Sequence, residues 1–200
     1  STLTFASNLA TGDVIDFVIV LGDTLDIGTP SDGTVTTAKL ASGLALGKIG
    51  QVVQTVKTDI FTSTTASYTD VTGFSVAITP TATSSKVLVM AQYNMGVSSG
   101  YKSYSTLVRG STEIYRGDQV GSNRKRSSYS GKANANDDTN TIMHVFLDSP
   151  NTTSETTYKI QAFPESGGTL TFNCFNHSAS NDVVANSVDA ASITAMEVLA

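Results

Sequence analysis

The sequence predicts an all-β fold, an antiparallel β-sandwich of the jelly-roll kind, and three observations support this prediction. Charged residues make up 14% of the 200 residues, whereas soluble domains average about 25%. Thr, Ser, Val and Tyr are abundant, and these residues favour strands and turns over helices. No window shows a convincing 3.6-residue apolar period, while alternating apolar runs follow one another along the later part of the chain.

Residues 1–50 differ in kind from residues 51–200. A strand-like run occupies 13–20, and 28–41 begins with turn residues and continues with thinly spaced aliphatic residues. Such a segment carries too little apolar surface to fold alone. We expect residues 1–50 to form an extended, intertwined stalk that buries itself against copies of itself, with a flexible linker as the alternative. Residues 51–200 are expected to form the sandwich, a compact knob.

Strand-like runs follow one another through the knob, separated by Gly, Asn, Ser and Pro at the 8–12-residue spacing typical of sandwiches. The most apolar of them, 86–95, is expected to be central. The predicted strands are 51–57, 68–78, 86–95, 101–108, 113–115, 126–129, 141–147, 156–163, 169–175 and 192–199.

Composition excludes several classes of protein. One Cys excludes an internal disulfide framework and a Cys-rich zinc module, and two His leave little room for a metalloenzyme. The net charge of -5 argues against nucleic-acid binding. No apolar run approaches the roughly 18 residues of a membrane span, so membrane insertion is not expected. Neither a cofactor nor a metal is predicted.

Several segments carry a family resemblance. The run at 30–40, PSDGTVTTAKL, and the run at 9–16, LATGDVID, resemble shaft and repeat segments of marine-type bacteriophage tail fibres and related virion fibre proteins. The segments at 50–54, 69–80, 84–89 and 192–198 resemble the distal domain of the same proteins. The resemblance implies a homotrimeric fibre or its distal knob. It would sit on a virion, contact other tail or virion proteins and bind a bacterial surface.

A basic, tyrosine-rich stretch is the strongest local anomaly. The segment from Gly100 to Lys132 contains seven basic residues and two acidic ones. Arg and Tyr together provide the charge and the flat surface that bind acidic sugars. We therefore expect contact with an anionic surface glycan or lipopolysaccharide. The alternatives are a solvated strand edge or salt bridges between subunits. The candidate receptor-binding residues are Tyr101, Lys102, Tyr104, Arg109, Tyr115, Arg116, Arg124, Lys125, Arg126 and Tyr129.

A purely structural virion protein that binds no receptor is the second functional hypothesis. It could be a capsid-attached fibre or a segment that joins other tail parts. Four aspartates near the N-terminus would then dock to a basic partner, and they are Asp13, Asp16, Asp23 and Asp26.

Two further clusters have metal-binding and structural interpretations. The loop at 134–140 is rich in oxygen ligands but lacks the Gly and closing Glu of an EF-hand, so a plain Asx-rich turn is favoured. Cys174 and His177 have a C-x2-H spacing, with His144 on another strand. A zinc site is conceivable from these three residues, but strand alternation favours a half-buried core thiol at Cys174.

Enzyme motifs are lacking in the sequence. It contains no G-x-S-x-G elbow, no Gly-rich phosphate loop before a helix and no H-E-x-x-H pair. We therefore expect a protein without catalytic activity.

Overall fold

The structure is a computed structural model that describes residues 10–12, 48–174 and 187–199. The chain divides into two units, residues 1–44 and 45–200, and every strand named below belongs to the second unit. The stalk predicted within 1–50 lies almost entirely outside the described residues. So do His177 and the four aspartates predicted to dock on the virion.

The described residues form strands and no helix, which confirms the all-β prediction. All pairings between the strands are antiparallel. Because there is no helix, the described residues contain none that could cross a membrane. The strands are β1 Ile49–Lys57, β2 Phe61–Ser63, β3 Thr69–Ile78, β4 Lys86–Val97, β5 Lys102–Arg109, β6 Thr112–Tyr115, β7 Tyr129–Lys132, β8 Thr139–Asp148, β9 Thr156–Pro164, β10 Leu170–Phe172 and β11 Ala191–Val198.

The larger sheet has six strands in the order β1-β11-β4-β10-β2, with β8 paired to β4. Strand β4 is central, as its apolar sequence predicts. One edge of β4 pairs with β11 along residues 86–92 and with β10 along 95–97. The other edge pairs with β8 along residues 87–96. Strand β8 is therefore an outer strand of this sheet.

The smaller sheet has five strands in the order β3-β9-β5-β6, with β7 paired to β5. Its inner face and that of the larger sheet enclose one apolar core. Strand alternation supplies this core, because every second side chain of β3, β4 and β9 is buried. The packed sheets are the sandwich that the sequence predicts.

Aromatic rings fill the centre of the core. Phe74 of β3 meets Tyr93 of β4 edge-on with ring centroids 5.8 Å apart, and Tyr93 stacks on Phe172 of β10 at 4.7 Å. All three side chains are almost completely buried. Burying each large apolar side chain contributes about 1.5–3 kcal/mol, so these contacts hold the two sheets together.

Three strands differ from the prediction. Strand β10 ends at Phe172, whereas the sequence predicts a strand at 169–175, because Asn173 adopts a left-handed φ of 61° that ends the strand. Strand β2 has three residues, too few for an alternation pattern to be recognised. Strand β7 begins at Tyr129, whereas the sequence predicts a strand at 126–129. The reason lies in Ser128, whose hydroxyl donates to the Tyr115 carbonyl and accepts a 3.1 Å hydrogen bond from the Leu107 N–H. These bonds hold residues 126–128 as a connection across strand ends, and regular pairing with β5 starts at Tyr129.

Candidate functional site

A groove on the smaller sheet gathers three of the ten predicted receptor-binding residues. We call it the basic groove. Its volume is about 330 Å³. It is lined by Ala66, Lys102, Tyr104, Asn123, Lys125, Phe163, Glu165 and Ser166.

The strand register explains why these residues meet. Lys102 and Tyr104 lie two residues apart on β5 and therefore point to the same side of the sheet. Tyr104 is directly opposite Phe163 of β9. The loop before β7 brings Lys125 to the same place, and its course is held by a 2.7 Å hydrogen bond from Arg126 Nε to the Gly117 carbonyl.

Two aromatic rings, those of Tyr104 and Phe163, line the basic groove, and the ring of Tyr68 supports Phe163 from the side. Tyr104 stacks on Phe163 with centroids 4.7 Å apart and planes inclined by 17°. Tyr68 meets the same Phe163 ring edge-on at 4.7 Å, and its hydroxyl donates a 2.5 Å hydrogen bond to the Arg126 carbonyl. Burial raises the pKa of Tyr68 to about 12, and its protonated hydroxyl tethers the loop through this hydrogen bond.

Two ammonium groups and one carboxylate set the charge of the basic groove. Lys125 Nζ lies 6.0 Å from the centroid of the Phe163 ring. Lys102 Nζ lies 3.6 Å from Glu165 Oε1, and both of these side chains are about half exposed. Exposed pairs of this kind contribute about 1 kcal/mol or less. The Lys102–Glu165 pair is therefore weak.

Arg109 and Arg116 are engaged in ion pairs away from the basic groove. Arg109 Nη1 donates to both carboxylate oxygens of Asp148, at 2.9 and 2.8 Å. Arg109 and Lys102 lie at opposite ends of β5, about 23 Å apart along an eight-residue strand. Arg116 pairs with Glu113 of β6.

The other predicted residues divide between packing and solvent. Tyr115 stacks on Phe146 at 5.0 Å, and Tyr129 packs against the core. Tyr101 lies beside the backbone of Gly167 and Gly168, where an added Cβ would come within 3.0–3.2 Å of its side chain. Arg124 is exposed in the loop before β7.

The sequence did not single out Phe163 and Glu165 as site residues. Phe163 ends an alternating strand in which Tyr158, Ile160 and Ala162 face the core. That alternation places Phe163 on the outer side, and this was the available signal. Glu165 offers no such signal, because it follows the strand in a turn.

In the two clusters with metal-binding interpretations, several of the described side chains make contacts within the protein, whereas His177 lies outside the described residues. His144 is buried and its Nε2 lies 2.8 Å from the Tyr93 hydroxyl; burial lowers its pKa to about 4. Cys174 is buried too, and burial raises the pKa of its thiol. In the 134–140 loop, Asp138 accepts hydrogen bonds from the N–H groups of Asn134 and Ala135. No three metal-binding side chains cluster among the described residues.

Comparisons with known proteins give weak structural similarity to viral chains, among them the two that follow. No protein-family model and no curated protein matches the chain. A structure of the infectious bursal disease virus Gt strain is 15% identical with a TM-score of 0.37, and covers 75% of this chain and 38% of that one. A Gx strain structure is 16% identical with a TM-score of 0.36, and covers 75% and 36%. The chain thus spans little more than a third of these viral chains.

Proposed function

We propose that this chain is a non-enzymatic virion protein of a bacteriophage, a tail fibre that binds an acidic glycan or lipopolysaccharide on the host surface. The observation that carries the proposal is the basic groove, where Lys102 and Lys125 flank the stacked rings of Tyr104 and Phe163. The resemblance of the chain to fibre proteins and its β-sandwich architecture support the same function.

The groove supplies the two kinds of contact that an acidic sugar needs. The partly exposed ring of Tyr104 offers an apolar surface and a hydroxyl for a sugar ring. The ammonium groups of Lys102 and Lys125 pair with carboxylate or phosphate groups. Asn123 and Ser166, which also line the groove, provide side chains for sugar hydroxyls.

A single groove of this kind binds weakly, and a fibre compensates by carrying several copies. In the homotrimer that the resemblance implies, three grooves would engage one bacterial surface together. Linking weak sites raises the overall affinity by orders of magnitude without any new contact. The protein would act on the virion and meet other tail proteins there.

A virion protein without receptor binding is the second candidate. The exposed side chains of Met143, Val145 and Leu147 on β8 favour it, because contiguous apolar surface is typical of contacts between proteins. In that case the chain would contribute to assembly of the particle alone.

Equilibrium binding of the full chain to purified lipopolysaccharide tests the proposal, with neutral dextran as the control ligand. The double variant Lys102→Ala/Lys125→Ala is expected to bind at least about 10-fold more weakly. Its matched control is Lys48→Ala/Lys86→Ala, which removes the same charge from two exposed lysines outside the groove.

The control variant should bind as the wild type does. Equal weakening by both double variants would show that net charge, and not the groove, causes the binding. A wild-type chain that binds lipopolysaccharide no better than dextran would overturn the proposal in favour of the structural virion protein.

A further inference from the structure

The outward side of the larger sheet is unusually apolar at both margins. Strand β8 exposes Met143 and Val145, at 58% and 50% of their surface, together with Leu147. At the opposite margin, β1 exposes Val52 and Val56, at 54% and 55%. Complete burial of a large aliphatic side chain contributes about 1.5–3 kcal/mol. Side chains at this exposure do not gain that stabilisation.

The strands between these margins continue the same surface. Val145 lies opposite Met90 of β4, Met90 opposite Thr194 of β11, and Thr194 opposite Gln54 of β1. Equivalent rows run on either side of this one. We call the resulting surface the uncharged face. It consists of every second residue of 52–56, 88–92, 143–147 and 192–196.

None of the twelve side chains of the uncharged face carries a charge, and eight are Val, Leu or Met. The outward side of the smaller sheet is different. There Lys159 pairs with Asp70 at 2.7 Å, and Gln161 donates to the same carboxylate. One sandwich therefore has an ordinary solvated face and a face without ions, although both point outward.

We propose that the uncharged face is the surface through which copies of this chain associate. When copies of a chain pack around a symmetry axis, any charge near the axis meets its like, and like charges in contact cost several kcal/mol. A surface without charges avoids that cost. The chain as a whole carries a net charge of -5, so two copies repel one another overall and an uncharged contact surface adds nothing to that repulsion.

The size of the uncharged face fits this role. Four strands about 4.8 Å apart and three rows about 6.8 Å apart give about 400 Å² in projection. A standard-size specific interface buries about 800 Å² of accessible surface per partner. Protruding side chains make the accessible area larger than the projected area. Ile49 and Val198 extend the face by one more row, which ends at the exposed Lys86 as its border. Within the described residues, no strand or loop packs over this face.

The uncharged face also contains a shallow cavity, which we call the dimple. It has a volume of about 100 Å³ and lies between β1, β11, β4 and β8, lined by Gln54, Met90, Gln92, Met143, Ser192 and Thr194. A protruding aliphatic side chain from a facing copy would fill it. On its wall Gln54 donates a 2.8 Å hydrogen bond to the Thr194 hydroxyl, so these two groups keep a partner when the contact excludes water.

Sedimentation analysis of the full chain over a range of concentrations tests the proposal. The wild type is expected to associate, and Val145→Lys to shift the association constant by at least about 100-fold toward monomer. The matched control is Ala77→Lys, which places the same charge on an exposed position of β3 in the smaller sheet. That control should associate like the wild type.

A second variant guards against a folding defect. If Val145→Lys loses the circular dichroism of the wild type, Val56→Lys at the other margin of the face replaces it. A monomeric wild type would overturn the proposal and assign the face to a different protein or to another part of this chain. Unchanged association of both folded face variants would overturn it as well.

The proposal is independent of glycan binding. Lys102→Ala/Lys125→Ala should associate to the same extent as the wild type in sedimentation analysis, because the basic groove lies on the other sheet. A monomeric Val145→Lys chain should still bind lipopolysaccharide through its single groove, with the loss confined to avidity. Failure of one proposal is thus distinguishable from failure of the other.

Discussion

Arg109 of β5 and Asp148 of β8 join the two sheets through one guanidinium nitrogen that donates to both carboxylate oxygens, at 2.9 and 2.8 Å. Tyr158 donates a 2.7 Å hydrogen bond to the same carboxylate, and burial together with Asp148 raises the pKa of Tyr158. A basic residue that the sequence suggests for a receptor therefore stabilises the sandwich itself.

Replacing Arg109 should destabilise the fold. Arg109→Ala leaves the buried Asp148 carboxylate with fewer partners, and we expect the free energy of unfolding to fall by about 2 kcal/mol. Urea denaturation measures this change. Arg116→Ala, which breaks a more exposed pair with Glu113, should cost less than about 1 kcal/mol. Equal losses in the two variants would refute the structural role of Arg109.

His144 should make the free energy of unfolding depend on pH in mild acid. Burial lowers its pKa from 6.5 to about 4, so the unfolded chain takes up this proton first. The free energy of unfolding should then fall as the pH drops from about 6.5 toward about 4, by about 1.4 kcal/mol per unit and about 3 kcal/mol in total.

The variant His144→Gln provides the comparison. Its glutamine side chain does not titrate, and its amide can hydrogen-bond to the Tyr93 hydroxyl in place of the imidazole. Urea denaturation at neutral pH and near pH 5 should show a smaller acid loss in this variant than in the wild type. Parallel pH profiles for the two proteins would show that other groups cause the loss.

Alternation in the sequence predicts most of the strands, because burial of one face imposes a two-residue period. Thr69–Ile78 and Thr139–Asp148 each lie within two residues of their predicted bounds. The strand Phe61–Ser63 is too short to show a period. Pairing of β7 starts later than predicted because hydrogen bonds of Ser128 hold the residues before it, and such contacts between distant residues leave no local pattern.

The basic groove is predictable in part for the same reason. Lys102 and Tyr104 share a strand face, so their proximity follows from spacing. Whether a basic residue meets a buried carboxylate, as Arg109 does, depends on a partner 39 residues away. Charge counting along a segment cannot distinguish these situations.

Removing Glu165 should strengthen binding to acidic glycans. Its carboxylate competes with a ligand anion for Lys102, so Glu165→Gln should raise the affinity for lipopolysaccharide about 2–5-fold. Equilibrium binding of the variant to lipopolysaccharide measures the change, and neutral dextran should bind no better to the variant than to the wild type. Weaker lipopolysaccharide binding by Glu165→Gln would mean that the carboxylate contacts the ligand directly.

The ring of Tyr104 should matter more than its hydroxyl. Tyr104→Ala removes the surface that stacks on Phe163 and should weaken glycan binding about 10-fold, whereas Tyr104→Phe should weaken it about 3-fold or less. A thermal unfolding curve for each variant separates lost binding from lost fold. Similar glycan binding by the alanine and phenylalanine variants would show that the aromatic ring of Tyr104 does not contribute to binding.

The most direct measurement of the proposed function is a map of amide chemical shifts in the full chain as an acidic lipopolysaccharide oligosaccharide is added. Binding in the basic groove should give saturable shifts around Lys102, Tyr104, Lys125 and Phe163 and leave the uncharged face unaffected. Shifts confined to other surfaces, or no saturable shifts at all, would contradict it.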